Sequence, residues 1–267
     1  MAVLLLPPRM TDDSQVLQQA ALARGWRVER LANWRPPSRL RDEPLVLYGE
    51  PLFADVIAGP LGLALLEPPP DWLTLLPSHV LRREVRFGTL AEARYCMIPT
   101  FIKPALDKCF QAGVYSSGAA LPATVEMLPE TTPVLFSEPV RWEIEFRCFV
   151  LERTVAAMSV YLREGMLVEA EDGSWPASAE ETTEAQHYIH SVLADHAVSL
   201  PPAVVVDIGR IAGQGWAIIE ANAAWGSGLY GCDPEHVLDV LSRASLKLDT
   251  VTSNELAWVR PLPEVSG

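Results

Sequence analysis

The segment formed by residues 201–231 constrains the fold more than any other part of the chain. Two apolar, β-branched runs, 204–208 and 216–220, flank a glycine-containing turn, and this pattern predicts a β-hairpin. A turn centred on Gly213 and Gln214 would place Asp207 directly opposite Glu220. The β-carbons of such a pair lie roughly 4.5–5.5 Å apart, and two like charges at that distance repel each other. The pairing therefore predicts a cation between the two carboxylates.

Asn222 extends this candidate site, because a residue two positions after Glu220 projects from the same face of a strand. Carboxylate and amide oxygens without sulfur or imidazole suit Mg²⁺ better than Zn²⁺. We therefore predict that Asp207, Glu220 and Asn222 bind Mg²⁺ and that the metal carries phosphate. The alternative is that both carboxylates are simply solvated, and a register shift of one residue would send one of them to the other face.

Composition narrows the class of protein. With 267 residues, of which 49% are hydrophobic, the chain can bury a substantial core. A net charge of -13 argues against nucleic acid or an anionic membrane as a partner, so any phosphate site must be local. The four cysteines have no C-x-x-C spacing, and no apolar stretch approaches the roughly 20 residues of a membrane span. We expect a cytoplasmic protein whose chain opens with a strand rather than a signal peptide.

The first 97 residues have the pattern of a small α/β domain. Strands are predicted at 2–6, 26–31 and 45–48, and Thr11 is expected to cap a helix over 12–24. A helix at 52–57, an extended segment at 61–66 and a helix over 71–86, broken at Pro77, complete this part.

Antiparallel strands dominate the predicted second domain, which spans residues 98–250 and is followed by an irregular tail over 251–267. Four extended segments at 97–104, 132–140, 142–152 and 154–162 precede a helix at 179–194 and the hairpin. An amphipathic helix over 234–246 follows the cap Asp233. The fold class expected from this order is α+β.

Lys103 is a candidate phosphate ligand. It lies on a predicted strand that leads into a loop of small residues, and such a loop offers backbone N–H groups while the lysine offers a point charge. The chain has only three lysines, so the nearby Lys108 also attracts attention. The alternative is that both lysines are solvated, since the loop lacks a Walker pattern. The loop residues are Gly113, Ser116, Ser117 and Gly118.

The strand over 141–150 alternates between an apolar face and a polar face that carries Glu145 and Arg147. If the polar face lines a nucleotide cleft, Glu145 would accept hydrogen bonds from ribose and Arg147 would reach phosphate. The alternative is an amphipathic strand with a solvated face. The apolar segment before it ends in a proline-containing hinge, whose backbone would read an adenine base.

The order of these parts resembles the ATP-grasp superfamily of carboxylate ligases. Glu138 and Glu145 lie seven positions apart and Asp207 and Glu220 thirteen, which is similar to the D-alanine ligase branch. The strings FIKPALDK, E-x-R-x-F-V and IIEANAAWGSGLYG look most like the ATP-grasp clade named for its arginine and paired lysines. The resemblance covers about residues 98–245, and residues 1–97 look like the domain that precedes the grasp.

The resemblance implies two α+β subdomains that grip ATP, with Mg²⁺ bound by Asp207, Glu220 and Asn222. Nucleotide-binding residues carried over from it are Lys103, Lys108, Glu138, Val140, Arg141, Glu145 and Arg147. Catalytic roles fall to Lys103, Arg147 and Ser227, the last in a Gly-Ser-Gly turn beside the expected metal. Two departures stand out: the phosphate-covering loop is poor in glycine, and Val205 replaces the arginine that many relatives carry there.

The implied activity is an ATP- and Mg²⁺-dependent carboxylate–amine ligase that works through an acyl phosphate. Its substrates would be a carboxylate and an amine on small molecules or peptides, and a homodimer remains an open alternative. Two other functions fit the same residues: a nucleotide-binding regulatory protein without catalysis, and a kinase that phosphorylates a hydroxyl.

Overall fold

In the computed structural model, residues 1–106 and 108–262 are described. Asp107 of the FIKPALDK string and the last five residues of the predicted tail lie outside these ranges. The chain begins with a parallel sheet in the order β2-β1-β3, as the predicted βαβ pattern requires. Its strands are β1 (Val3–Leu6), β2 (Arg27–Arg30) and β3 (Leu45–Leu47), with helix α1 (Asp12–Ala23) after β1. Thr11 caps α1 by accepting a hydrogen bond from the Ser14 amide.

Helix α2 (Pro51–Leu61) is longer than the predicted helix over 52–57, and β4 (Leu63–Leu65) follows it. The predicted helix over 71–86 is wrong as a single element. A 3-10 helix (Trp72–Leu75) and the short helix α3 (Ser78–Leu81) occupy its first part, and Arg82 then takes a left-handed backbone conformation with φ of 50°. Its last two residues belong to β5 (Val85–Thr89), because pairing with a neighbouring strand outweighs the local helical pattern.

A small antiparallel sheet follows, in the order β5-β8-β6-β7. Helix α4 (Leu90–Arg94) begins directly after β5 and packs on it. The other strands are β6 (Thr100–Pro104), β7 (Gly113–Tyr115) and β8 (Pro133–Ser137). Part of the predicted small-residue loop is therefore a strand, since Gly113 to Tyr115 pair with β6.

The larger sheet has the order β11-β10-β9-β12-β13, and every neighbouring pair is antiparallel. Asp207 pairs with Glu220, so the predicted hairpin register is confirmed. The register shifts directly after this pair, where Ile208 faces Ile218, and the extra residue makes a β-bulge on the last strand. The strands are β9 (Trp142–Leu151), β10 (Thr154–Arg163), β11 (Met166–Leu167), β12 (Ala203–Ile211) and β13 (Gly215–Asn222).

Helix α5 (Ala179–Ala194) has the predicted bounds and contacts β10 and β12. Ile144 and Phe146 lie in the same apolar cluster as the buried residues of α5. Since side chains alternate along β9, Glu145 and Arg147 project from the opposite face of the sheet. The covered apolar face thus orients the polar face toward the small sheet.

Helix α6 (Pro234–Ala244) starts at the predicted cap Asp233 and packs against α1. It ends two residues before the predicted end, because Ser245 and Leu246 belong to β14 (Ser245–Lys247), which pairs with β4. In the tail, Arg260 makes ion pairs with Asp55 and Glu67. Within the described ranges, no helix has the combined length and apolarity needed to cross a membrane.

Candidate functional site

A buried ion pair lies at the centre of the larger sheet. Arg147 on β9 donates from Nε to Asp207 Oδ1 at 2.9 Å and from Nη2 to Asp207 Oδ2 at 2.7 Å. Asp207 is fully buried and Arg147 is 7% exposed. The pair follows from strand register, since Asp207 faces Arg147 across one strand boundary and Glu220 across the other. The cation predicted between the carboxylates is therefore, for Asp207, a guanidinium.

A second ion pair crosses between the two sheets. Lys103, on β6 of the small sheet, contacts Glu220 Oε2 on β13 of the larger sheet through its Nζ atom. The side chains are 23% and 28% exposed, so this pair lies at the mouth of the cleft between the sheets. Burial opposes the charge on Glu220, but the field and the hydrogen bond of Lys103 lower the pKa of Glu220 to about 2. Glu220 is therefore ionised at neutral pH.

Asn222 links the two carboxylates. Its Nδ2 atom lies 2.9 Å from Glu220 Oε1 and 3.4 Å from Asp207 Oδ2, so both carboxylates converge on one point. In the part of the chain that the structure describes, no three His, Cys, Asp or Glu residues form a metal-binding group. A metal here would rely on two carboxylates together with the Asn222 amide.

Two tyrosine rings enclose the Arg147 guanidinium. Its carbon lies 5.4 Å from the centre of the Tyr161 ring and 4.7 Å from that of Tyr230, and the two rings stack on each other. Arg147 Nη1 also donates to the Gly228 carbonyl at 2.9 Å. Trp175 packs edge-on against Tyr230. These contacts fix Arg147 in place, so its charge serves Asp207 first.

Ser227 lies in the turn that carries the Gly228 carbonyl. Its hydroxyl donates to the Ala223 carbonyl at 2.7 Å, and the residue is buried. The turn is tied to the first domain because Asp13 Oδ2 accepts from the Leu229 amide and from the Tyr48 hydroxyl, each at 3.2 Å. In this structure Ser227 therefore stabilises the turn.

Glu145 is buried next to the central ion pair and accepts a hydrogen bond of 2.8 Å from the Tyr161 hydroxyl. Burial raises the pKa of Glu145 to about 7, and the charges of Asp207 and Glu220 act in the same direction. The Tyr161 hydrogen bond opposes this rise without cancelling it. Glu145 therefore titrates close to neutral pH.

This titration predicts a pH dependence of stability. Because the folded protein holds the Glu145 proton more tightly than the unfolded chain does, the stabilisation is complete below about pH 4.5 and is lost as pH rises through 7. Between pH 6 and 8 this one group should lower the free energy of unfolding by about 1 kcal/mol. Urea unfolding of the parent protein and of Glu145→Gln at both pH values measures the difference. The same slope in both proteins would contradict the assignment.

Four predicted nucleotide-binding residues lie away from the central contacts. Lys108 and Glu138 are exposed, and the Glu138 amide donates to the Glu84 carbonyl. Arg141 is also exposed and pairs with Glu164, while Val140 is half-buried. The last three do lie on the connection between β8 and β9, where the hinge was predicted. Their nucleotide contacts stay predictions.

Sequence reasoning missed Arg83, which joins the two sheets beside the cleft. Its guanidinium donates to the Ile218 carbonyl at 2.6 Å and the Ile219 carbonyl at 3.0 Å on β13, and to Ser137 Oγ at 3.2 Å at the end of β8. It also lies over the Trp142 ring. Burial lowers the pKa of Arg83 to about 10, which leaves it charged. Because its partners are mostly backbone carbonyls, no sequence pattern signals this role.

Comparison with known proteins agrees with this arrangement. Residues 80–240, more than half of the chain, match a family model of the ATP-grasp domain, namely family 2 of the clade named for its arginine and paired lysines. No curated protein matches the chain.

Three solved structures are similar in fold. D-cycloserine synthetase has a TM-score of 0.57 at 16% identity, covering 90% of this chain and 98% of that chain. A RimK domain ATP-grasp protein from Sphaerobacter thermophilus has a TM-score of 0.53 at 16% identity, covering 90% and 99%. D-alanine–D-alanine ligase from Bacillus anthracis, complexed with ATP, has a TM-score of 0.51 at 13% identity, covering 91% and 95%. The α+β grasp architecture predicted from the sequence is thereby confirmed.

Proposed function

Because this chain belongs to family 2 of the ATP-grasp clade named for its arginine and paired lysines, we propose that it is an ATP-dependent carboxylate–amine ligase. The observation that carries the proposal is the contact between Lys103 and Glu220 across the cleft between the two sheets. A lysine on one wall and an Asp, Glu and Asn set on the other give a cleft that can hold both a phosphate chain and its metal.

The oxygen donors fit Mg²⁺. Glu220 is partly exposed to the cleft, and Asp207 and Glu220 converge on the Asn222 amide within 3.4 Å. These three residues would hold the ion, which would neutralise charge on the ATP phosphates. The donor set has no thiolate or imidazole, which favours Mg²⁺ over Zn²⁺.

The proposed reaction has two steps. A carboxylate oxygen of the first substrate attacks the γ-phosphorus of ATP, the bond to the bridging oxygen breaks, and ADP leaves. The substrate amine then attacks the carbonyl carbon of the acyl phosphate, inorganic phosphate leaves, and the amine loses a proton. This chain contributes mainly charge and position: Lys103 would bind the transferred phosphoryl group, and the Arg147–Asp207 pair would hold the cleft wall rigid.

The remaining assignments form part of the proposal. Glu145 would accept from ribose, the hinge residues Glu138, Val140 and Arg141 would meet the base, and Lys108 would add a second positive charge. The turn around Ser227 lies beside the metal residues, where the acyl phosphate would form. Substrates would be small molecules or peptides that carry a carboxylate and an amine.

Phosphate-release chemistry tests this proposal. Purified protein with Mg²⁺ and ATP is screened against amino acids and short peptides for substrate-dependent ADP formation, and hydroxylamine is then added in place of the amine. We expect sustained ADP release and capture of a hydroxamate, which only an acyl phosphate yields. ADP release without hydroxamate would indicate a kinase, and no release with any mixture that binds would indicate a regulatory nucleotide-binding protein.

A further inference from the structure

We propose that Lys103 occupies the place of the metal ion in the nucleotide-free protein and exchanges partners when the metal–nucleotide complex binds. In this exchange Lys103 leaves Glu220 for the phosphates, and the divalent ion takes over Glu220. The inference rests on the proposed function, and it adds that the metal alone cannot bind well. Lys103 is thus a positioning residue for the metal before it becomes a phosphate ligand.

The first argument is that all four carboxylate oxygens already have partners. Arg147 takes both oxygens of Asp207, Lys103 takes Oε2 of Glu220, and Asn222 takes Oε1. A divalent ion that arrives alone must displace one of two cations. It would then lie next to the displaced positive charge, which opposes its binding.

The second argument decides which of the two cations moves. Arg147 is 7% exposed, makes a two-bonded contact with Asp207 and is held by Gly228 and two aromatic rings. Lys103 makes one contact, is 23% exposed and ends in a flexible four-carbon chain. Lys103 therefore exchanges, and the Arg147–Asp207 pair stays as it is.

The third argument concerns charge. In the nucleotide-free cleft, the positive charges of Lys103 and Arg147 match the negative charges of Glu220 and Asp207. Addition of nucleotide alone would draw Lys103 toward the phosphates and leave Glu220 facing them without a partner. Addition of the ion together with the nucleotide restores the balance, because the ion replaces the lysine at Glu220. Metal and nucleotide should thus strengthen each other's binding.

Manganese binding, followed by electron paramagnetic resonance of free Mn²⁺, tests the exchange without catalysis. Four proteins are titrated without nucleotide: the parent, Lys103→Met, Lys108→Met as matched control, and the double variant Lys103→Met with Glu220→Gln. We expect Lys103→Met to bind Mn²⁺ at least about tenfold more tightly than the parent, since a competing cation is gone. Lys108→Met should behave like the parent, and the double variant should lose the gain.

Equal Mn²⁺ affinity in the parent and in Lys103→Met would overturn the inference, and so would a gain that survives Glu220→Gln. A second titration of the parent protein in the presence of ATP keeps this failure separate from that of the proposed function. Tight Mn²⁺ binding there, with no gain in Lys103→Met alone, contradicts only the exchange. No Mn²⁺ binding even with ATP contradicts the proposed metal site itself.

Discussion

Replacing Arg147 by Met should lower the free energy of unfolding by about 3–5 kcal/mol, the usual cost of removing one partner of a buried ion pair. Asp207 is fully buried, and its two oxygens accept both strong hydrogen bonds from Arg147. Without the guanidinium, the carboxylate would be left charged and unpaired, or would have to take up a proton. Urea unfolding monitored by circular dichroism measures the loss.

Arg210→Met is the matched control, because Arg210 lies on β12 and pairs with Glu143 and Glu184 near the surface. Its loss should cost less than about 1 kcal/mol. The double variant Arg147→Met with Asp207→Leu should recover much of the stability, since no buried charge then remains. A cost in Arg147→Met no larger than in Arg210→Met would mean that the central pair is not what stabilises the sheet.

Glu220→Gln should fold normally and lose ADP formation by about 100- to 1,000-fold, the usual cost of removing one electrostatic contact at a transition state. The amide keeps the size of the side chain and one oxygen donor but removes the charge that would hold the ion against the phosphates. Because Glu220 lies at the mouth of the cleft, with 28% of its side chain exposed, no large loss of stability is expected. Coupled-enzyme ADP release measures turnover, and a thermal melt checks folding.

Glu184→Gln serves as the control for this variant, because Glu184 contacts Arg210 and Trp216 on the helix-covered side of the sheet. It should leave ADP release unchanged. Undiminished turnover in Glu220→Gln would place the metal elsewhere and remove the basis for the ligase mechanism.

Local patterns predicted much of this fold because they were strong. The cap at Thr11, helix α5 and the pairing of Asp207 with Glu220 all follow from short-range chemistry that tertiary contacts reinforce. The helix predicted over 71–86 was wrong because β5 is stabilised by a strand nearly 50 positions later in the chain, which local periodicity cannot reveal. The resemblance to the ATP-grasp superfamily, drawn from motif order, is confirmed by the family match.

The site residues were predictable as a list but not as a set of contacts. Alternation along β9 indicated that Glu145 and Arg147 share a face, yet it did not show that both are buried. The sequence suggested a metal between two carboxylates, whereas Arg147 and Lys103 supply the charges in this structure. Tyr161, Tyr230 and Arg83 went unassigned because aromatic stacking and hydrogen bonds to carbonyls depend on residues distant in the chain.

Calorimetric titration of ATP with and without Mg²⁺ tests the central claim most directly, namely that the cleft between Lys103 and Glu220 binds the metal–nucleotide complex. We expect weak binding without the metal, because Glu220 and the phosphates repel each other once Lys103 has turned to the nucleotide. Binding with Mg²⁺ should be at least about tenfold tighter, which corresponds to about 1.4 kcal/mol. Equal affinity under the two conditions would contradict the claim.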